Sequence, residues 1–194
     1  MSYYNSTEVE SALIALSAAY PTLTRLITLP HATPEGRLSH ALRIGSGKVD
    51  VQDAVLLIGG VHAREWGSWE ICINFATDLL EAYTANTGLT FGGKSFSKAQ
   101  VKAIVKRLQI IVFTLVNPDG RHYSQTVEPM WRKNRNPVGS GCVGVDINRN
   151  FDFLWDFPSF FLRQRMSAAP QIPVIQFIMA PPLFPKLKPR MFAG

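Results

Sequence analysis

The sequence predicts an α/β fold, and three observations carry that expectation. Ala54–Ile58 and Gln109–Val116 are apolar on both strand faces, the pattern of strands covered by helices. Segments with apolar residues at helical spacing lie before and between them. Both apolar segments end in turn-forming residues, Gly59-Gly60 after the first and Asn117-Pro118-Asp119-Gly120 after the second. Strands alternating with helices indicate a layered sheet domain, and 194 residues suffice for one domain with a real core.

Taken in order, Thr7-x-x-Glu10 has the form of a capping box, with Val9, Ala12, Leu13 and Leu16 at helical spacing around it. Pro21 ends that helix. Leu23–Leu29 and Ala41–Ile44 are expected strands flanking a turn near Pro34–Gly36. Ala54–Ile58 is expected to be a central strand. Trp69–Tyr83 reads as a helix and Ser97–Leu108 as a basic amphipathic one, with a loop holding Gly88, Gly92 and Gly93 between them. Gln109–Val116 is the second two-face strand. No internal repeat is present. Residues 158–194 differ in kind: they hold seven of the thirteen prolines and show neither period two nor period 3.6. This Pro-rich basic tail is not expected to continue the sheet.

The net charge of +6 invites a nucleic-acid reading, but its distribution argues against one. Arg163, Arg165, Lys186, Lys188 and Arg190 lie in the tail with no acid, which leaves the body at about +1. With no basic face interleaved with aromatics in the body, nucleic acid is not an expected partner. Nor is a membrane, since no run approaches the ~18 apolar residues of a span. Met1–Ser11 carries Glu8 and Glu10 and lacks the form of a signal peptide. The chain as written is therefore expected to be cytoplasmic, and secreted if its N-terminus is incomplete. Cys72 and Cys142 are too few for a disulfide scaffold.

The chemistry-bearing residues fall in two short segments. His62-Ala63-Arg64-Glu65-Trp66 follows the first apolar strand and its glycine turn. A neutral imidazole and a carboxylate three residues apart can reach one zinc ion together, although a turn histidine beside a solvated glutamate has the same spacing. Val145-Asp146-Ile147-Asn148-Arg149-Asn150 sets an amide donor beside a guanidinium, a pair suited to gripping a carboxylate or to bracing a loop. A metal at one end and a carboxylate clamp at the other is what removal of a C-terminal residue from a peptide requires.

With these stand Asn117-Pro118-Asp119-Gly120, Met130-Trp131-Arg132-Lys133-Asn134-Arg135 and Cys142-Val143-Gly144-Val145. In this order and spacing, the motifs resemble those of the zinc carboxypeptidases of the carboxypeptidase A/B type. The resemblance covers residues 1–157, the N-terminal part of such a domain. It implies a mixed-sheet, phosphorylase/hydrolase-like α/β fold that is truncated here. It also implies a zinc-dependent peptidase acting on peptide or protein C-termini. By resemblance, His62 and Glu65 are zinc ligands, and Asp146 orients His62 through its other ring nitrogen. Arg132 is catalytic, polarising the scissile carbonyl and stabilising the oxyanion. Asn148 and Arg149 bind the terminal carboxylate, and Arg64 contacts substrate.

The family supplies a third zinc ligand as a histidine well beyond the Asn-Arg pair, then a tyrosine and a glutamate base. Here His122 is the last histidine, Tyr123 the last tyrosine and Glu128 the last glutamate. Zinc is therefore expected to bind weakly or not at all, and peptidase activity to be absent. Two other readings stand beside this one: a non-catalytic fragment that binds peptide C-termini, and a related zinc amidohydrolase of acyl-amino acids. The tail offers a reason for the loss. With the reading frame shifted, synonymous codons chosen to fit Gln171 through Phe192 can spell a continuation resembling the family's. That continuation includes a cysteine to partner Cys142. A frameshift near Ser159–Phe161 is the expectation that follows.

Overall fold

A computed structural model of the chain describes residues 3–47, 53–139 and 141–151. The tail from 158 to 194 lies outside the described residues. The first helix, α1 (Ser6–Ala19), starts on a capping box that lies earlier than the one the sequence pattern suggests. Asn5 accepts from the Glu8 N–H, and the Glu8 carboxylate accepts from the Asn5 N–H. Two overlapping Asx/Thr-x-x-Glu patterns compete here, and Asn caps at least as well as Thr. Choosing Asn5 frees Glu10 to meet His40 Nδ1 at 2.5 Å.

Strands β1 (Thr24–Thr28), β2 (His40–Ile44), β3 (Asp53–Ile58) and β6 (Leu108–Phe113) form one sheet in the order β1-β2-β6-β3. β1, β2 and β6 pair antiparallel in succession, whereas β3 pairs parallel with β6. The sheet is mixed. The connection from β3 to β6 runs through α2 (Ser68–Ala85), a small antiparallel hairpin β4 (Leu89–Phe91) and β5 (Lys94–Phe96), and α3 (Lys98–Arg107). That hairpin stands where the glycines suggested only a loop. Helix α4 (Pro118–Thr126) follows β6.

The core lies on one face of this sheet. Leu42 and Ile44 of β2 and Ile110 and Val112 of β6 pack with Leu13 of α1, Leu79 and Leu80 of α2, and Val101 and Val105 of α3. Burying each of these side chains contributes about 1.5–3 kcal/mol. A smaller cluster of Val9, Trp69, Ile73 and Leu115 adjoins it.

Two further expectations need correction. Ala54–Ile58 is not central among the described strands: β3 is the last strand in the order, and Val55, Leu56 and Ile58 are 42%, 55% and 47% exposed. An apolar pattern on both faces reports what the strand was built to pack against, not how many neighbours it has. Asn117-Pro118-Asp119-Gly120 does not merely close a turn but opens α4, with Asn117 as N-cap accepting from the Gly120 N–H. Proline at the first helical position is favourable because its missing N–H would be unpaired there anyway. No helix among the described residues is long and apolar enough to cross a membrane.

Candidate metal and carboxylate site

The site forms where the parallel strands β3 and β6 both run out, the crevice at which α/β sheets commonly bind ligands. After β3, the Gly59 N–H donates to Phe113 O, and the Gly59 and Gly60 carbonyls accept from Val116 and Asn117. Gly60 has φ +63°, and a Cβ there would lie 2.8 Å from Leu115 Cδ1. Only glycine lets the chain turn this closely over β6, and that turn delivers His62.

His62 is 8% exposed. Its Nδ1 lies 2.8 Å from Glu65 Oε1, and its Nε2 lies 3.3 Å from Asp146 Oδ1. The second contact is an ion-pair approach without hydrogen-bond alignment, so Nε2 is a buried nitrogen lacking a well-directed partner. Arg132 completes the cluster: its Nε donates to Asp146 Oδ2 at 3.0 Å, and its Nη1 lies 3.4 Å from Glu65 Oε1. Burial pushes the Asp146 carboxyl up, but the Arg132 hydrogen bond and charge, the Asn148 N–H and His62 outweigh it. The net result is a carboxyl held below its ordinary value.

Backbone pairing brings these loops together. The Ala63 N–H donates to Arg132 O at 3.0 Å. Asn134, 6% exposed, accepts from the Val145 N–H with its side chain while its own N–H donates to Val145 O. Residues 131–136 are thus laced to 143–146, and Asp146 caps the 3-10 turn Ile147–Arg149 through the Asn148 N–H.

Of the residues singled out in the sequence, the structure brings His62, Glu65, Arg132 and Asp146 into one contact network. Asn148 and Arg149 are exposed on the turn beside Asp146, with Arg149 Nη1 on its own neighbour's carbonyl, Asn148 O, at 3.0 Å. Arg64 is exposed and outside the network. Sequence reasoning missed Asn117 and Ser124, which hold the carbonyls on either side of His62. The only signal was the Asn-Pro pair, which marks a helix start.

The donor chemistry suits zinc as far as it goes: an imidazole nitrogen and a carboxylate oxygen converge at one point. Asp146 addresses the opposite ring nitrogen, so it cannot share an ion with Glu65 on Nδ1. Accordingly, among the described residues no three His, Cys, Asp or Glu side chains are grouped to hold a metal ion. His62 and Glu65 fit as two donors of an incomplete set.

Comparison with known proteins identifies the family. The family model described as zinc carboxypeptidase matches residues 9–169, ending beyond residue 157, where the motifs stop. The chain is 38% identical over 126 residues to metallocarboxypeptidase A of Trichophyton tonsurans, covering 64% of this chain and 27% of that protein. It is 32% identical over 157 residues to carboxypeptidase B of Astacus astacus, covering 80% of this chain and 46% of that one. The chain thus spans less than half the length of these relatives. Among solved structures, it resembles bovine thrombin-activatable fibrinolysis inhibitor in complex with tick carboxypeptidase inhibitor. The TM-score is 0.63 at 26% identity, over 78% of this chain and 44% of that one. It shares the fold of carboxypeptidase A from Helicoverpa armigera, with TM-score 0.61 at 24% identity over 77% of this chain and 34% of that one. The chain belongs to the zinc carboxypeptidase family.

Proposed function

We propose that this chain carries the metal-anchoring and carboxylate-gripping part of a metallocarboxypeptidase site, and that by itself it binds peptide C-termini without cleaving them. The observation that supports this reading is the shared position of Glu65 Oε1, 2.8 Å from His62 Nδ1 and 3.4 Å from Arg132 Nη1. A metal-ligand pair and a cation suited to a developing oxyanion therefore face one point. Zinc, when bound, supplies a Lewis acid and an acidified water. His62 and Glu65 would hold it, with Asp146 on the far side of the His62 ring. Arg132, braced by Asp146, directs its guanidinium at the scissile carbonyl. Asn148 and Arg149 grip the terminal carboxylate, and Arg64 lies exposed beside the metal pair to contact the peptide. Among these 194 residues no histidine follows His122 and no glutamate follows Glu128, and no third ligand or base is assigned here.

The test is calorimetry of the full chain with a short peptide in two forms, free carboxylate and C-terminal amide, with zinc and with chelator. Mass spectrometry reads whether the last residue is released. The expected result is binding of the free acid, about tenfold or more weaker binding of the amide, and no release. Equal affinity for the two forms would remove the clamp. Zinc-dependent release would remove the claim of inactivity.

A further inference from the structure

Helix α4 presents a buried polar stripe where a helix that only had to pack would present apolar side chains. Asn117, Arg121 and Ser124 stand at i, i+4 and i+7, on one face, and are 2%, 0% and 0% exposed. Burying such groups is costly unless each is engaged, so the stripe calls for an explanation.

Its contacts converge on the loop that carries the metal pair. Asn117 Nδ2 donates to Val61 O at 3.2 Å and to Lys133 O at 3.1 Å. Ser124 Oγ lies 2.8 Å from Ala63 O and 2.9 Å from Arg121 O, sharing its one proton, and accepts from Trp66 Nε1 at 3.0 Å. The Arg121 guanidinium lies 5.1 Å from the Trp66 ring centre and 3.5 Å from that of Trp69, and donates to Tyr4 O at 2.6 Å. The carbonyls immediately before and after His62 are thus both held by α4. Trp66, immediately after Glu65, is held by Ser124 again and by Arg121. Through Lys133 O, Asn117 also fixes the loop bearing Arg132 against the same frame.

We propose that α4 is the positioning element of this site, its Asn117–Arg121–Ser124 stripe setting the orientation in which residues 61–66 present His62 and Glu65. None of the three touches the metal position; each acts through the loop backbone or Trp66. This inference rests on the reading of His62 and Glu65 as zinc ligands.

The experiment titrates Zn2+ into the full chain and follows the His62 ring by NMR, with amide hydrogen exchange at Ala63 measured in parallel. Ser124→Ala and Asn117→Ser are compared with Ser124→Thr, which keeps the hydroxyl. Ser97→Ala removes the N-cap of the remote helix α3 and serves as a stability control. The expected result is a roughly tenfold loss of zinc affinity in Ser124→Ala and Asn117→Ser, within the range seen for groups that orient ligands. Ser124→Thr should recover most of it, Ser97→Ala should bind as the parent does, and Ala63 exchange should quicken in the two weakened variants. If the parent binds zinc and both variants bind it equally tightly, the positioning role is overturned. If Ser97→Ala weakens zinc as much as they do, the effect is global stability and the proposal falls too. The parent is expected to bind zinc weakly; a His62 ring unmoved by zinc even at millimolar concentration overturns the reading of His62 as a ligand in this chain, and this inference with it.

Discussion

Arg132 and Asp146 are joined by a 3.0 Å hydrogen bond from Nε to Oδ2, and that bond ties together the two loops that flank His62. The same carboxylate uses Oδ1 to approach His62 Nε2 and to cap the turn bearing Asn148 and Arg149. One partly buried side chain therefore ties Arg132 to the turn bearing Asn148 and Arg149 and lies against the His62 ring.

Asp146→Asn keeps the volume and removes the charge. The expected cost is about 1.5 kcal/mol in urea unfolding, the scale of a hydrogen bond to a charged partner. Zinc affinity at His62 should fall about tenfold or more. If the substituted chain keeps the parent's stability and zinc affinity, Asp146 is a bystander.

Asp119 anchors the opposite side of α4. Its side chain is 3% exposed and accepts from Thr33 Oγ1, the Glu35 N–H and Arg37 Nη1. It also sits in the first turn of the helix, where the dipole favours a negative charge. Asp119→Ala leaves Thr33 Oγ1 and the Glu35 N–H without this acceptor and Arg37 with Glu35 alone, with an expected loss of about 2 kcal/mol. Chemical denaturation measures it, and a loss below about 1 kcal/mol would mean that water replaces the carboxylate without difficulty.

How much of this was legible in the sequence depends on how far each residue's pattern reports its own neighbours. β6 and α2 were readable because their apolar residues face a core built from the same periodicity. The position of β3 at the end of the described strand order was not, since Val55 and Leu56 look the same in sequence with one strand neighbour or two. α4 was invisible because its inward stripe is polar, which inverts the signal that marks a buried face. The grouping of His62 with Asp146 came from motif resemblance alone. No spacing rule connects residues so far apart until β3, β6 and the 131–146 loop are folded against one another.

Cys72 and Cys142 should separate cleanly by reactivity and by pH. Cys142 is exposed in a loop, whereas Cys72 is 8% exposed in α2, and both are free thiols. Burial raises the Cys72 pKa because the thiolate would lose its hydration. One equivalent of a thiol reagent should react quickly at about pH 8 and the second only on unfolding. The linkage follows the same cause. Below about pH 8.5 the thiol is protonated in both states, so the contribution is fully present there. Above that pH the unfolded thiol ionises first and stability falls, with a limiting slope of about 1.4 kcal/mol per pH unit. Cys72→Ala should lack this component in the window above about pH 8.5. Parallel stability curves for parent and variant in that window would contradict the assignment.

The exposed side of β3 should govern how the isolated chain behaves in concentrated solution. Among the described residues β6 is the sole strand partner of β3, and no described strand pairs with its other edge. Val55, Leu56 and Ile58 surround that edge with apolar surface and no lysine or proline interrupts it. Folded proteins protect such edges with charge, because a bare apolar edge templates pairing with another chain. Leu56 is the best place to add one: at 55% exposure its side chain has space for an ammonium group in water. Leu56→Lys should leave stability within about 0.5 kcal/mol of the parent and sharply reduce concentration-dependent light scattering. A burying substitution in the same sheet is no substitute, since it would change stability and scattering together. If Leu56→Lys scatters as strongly as the parent at equal concentration, association proceeds through some other surface and the edge of β3 is not the cause.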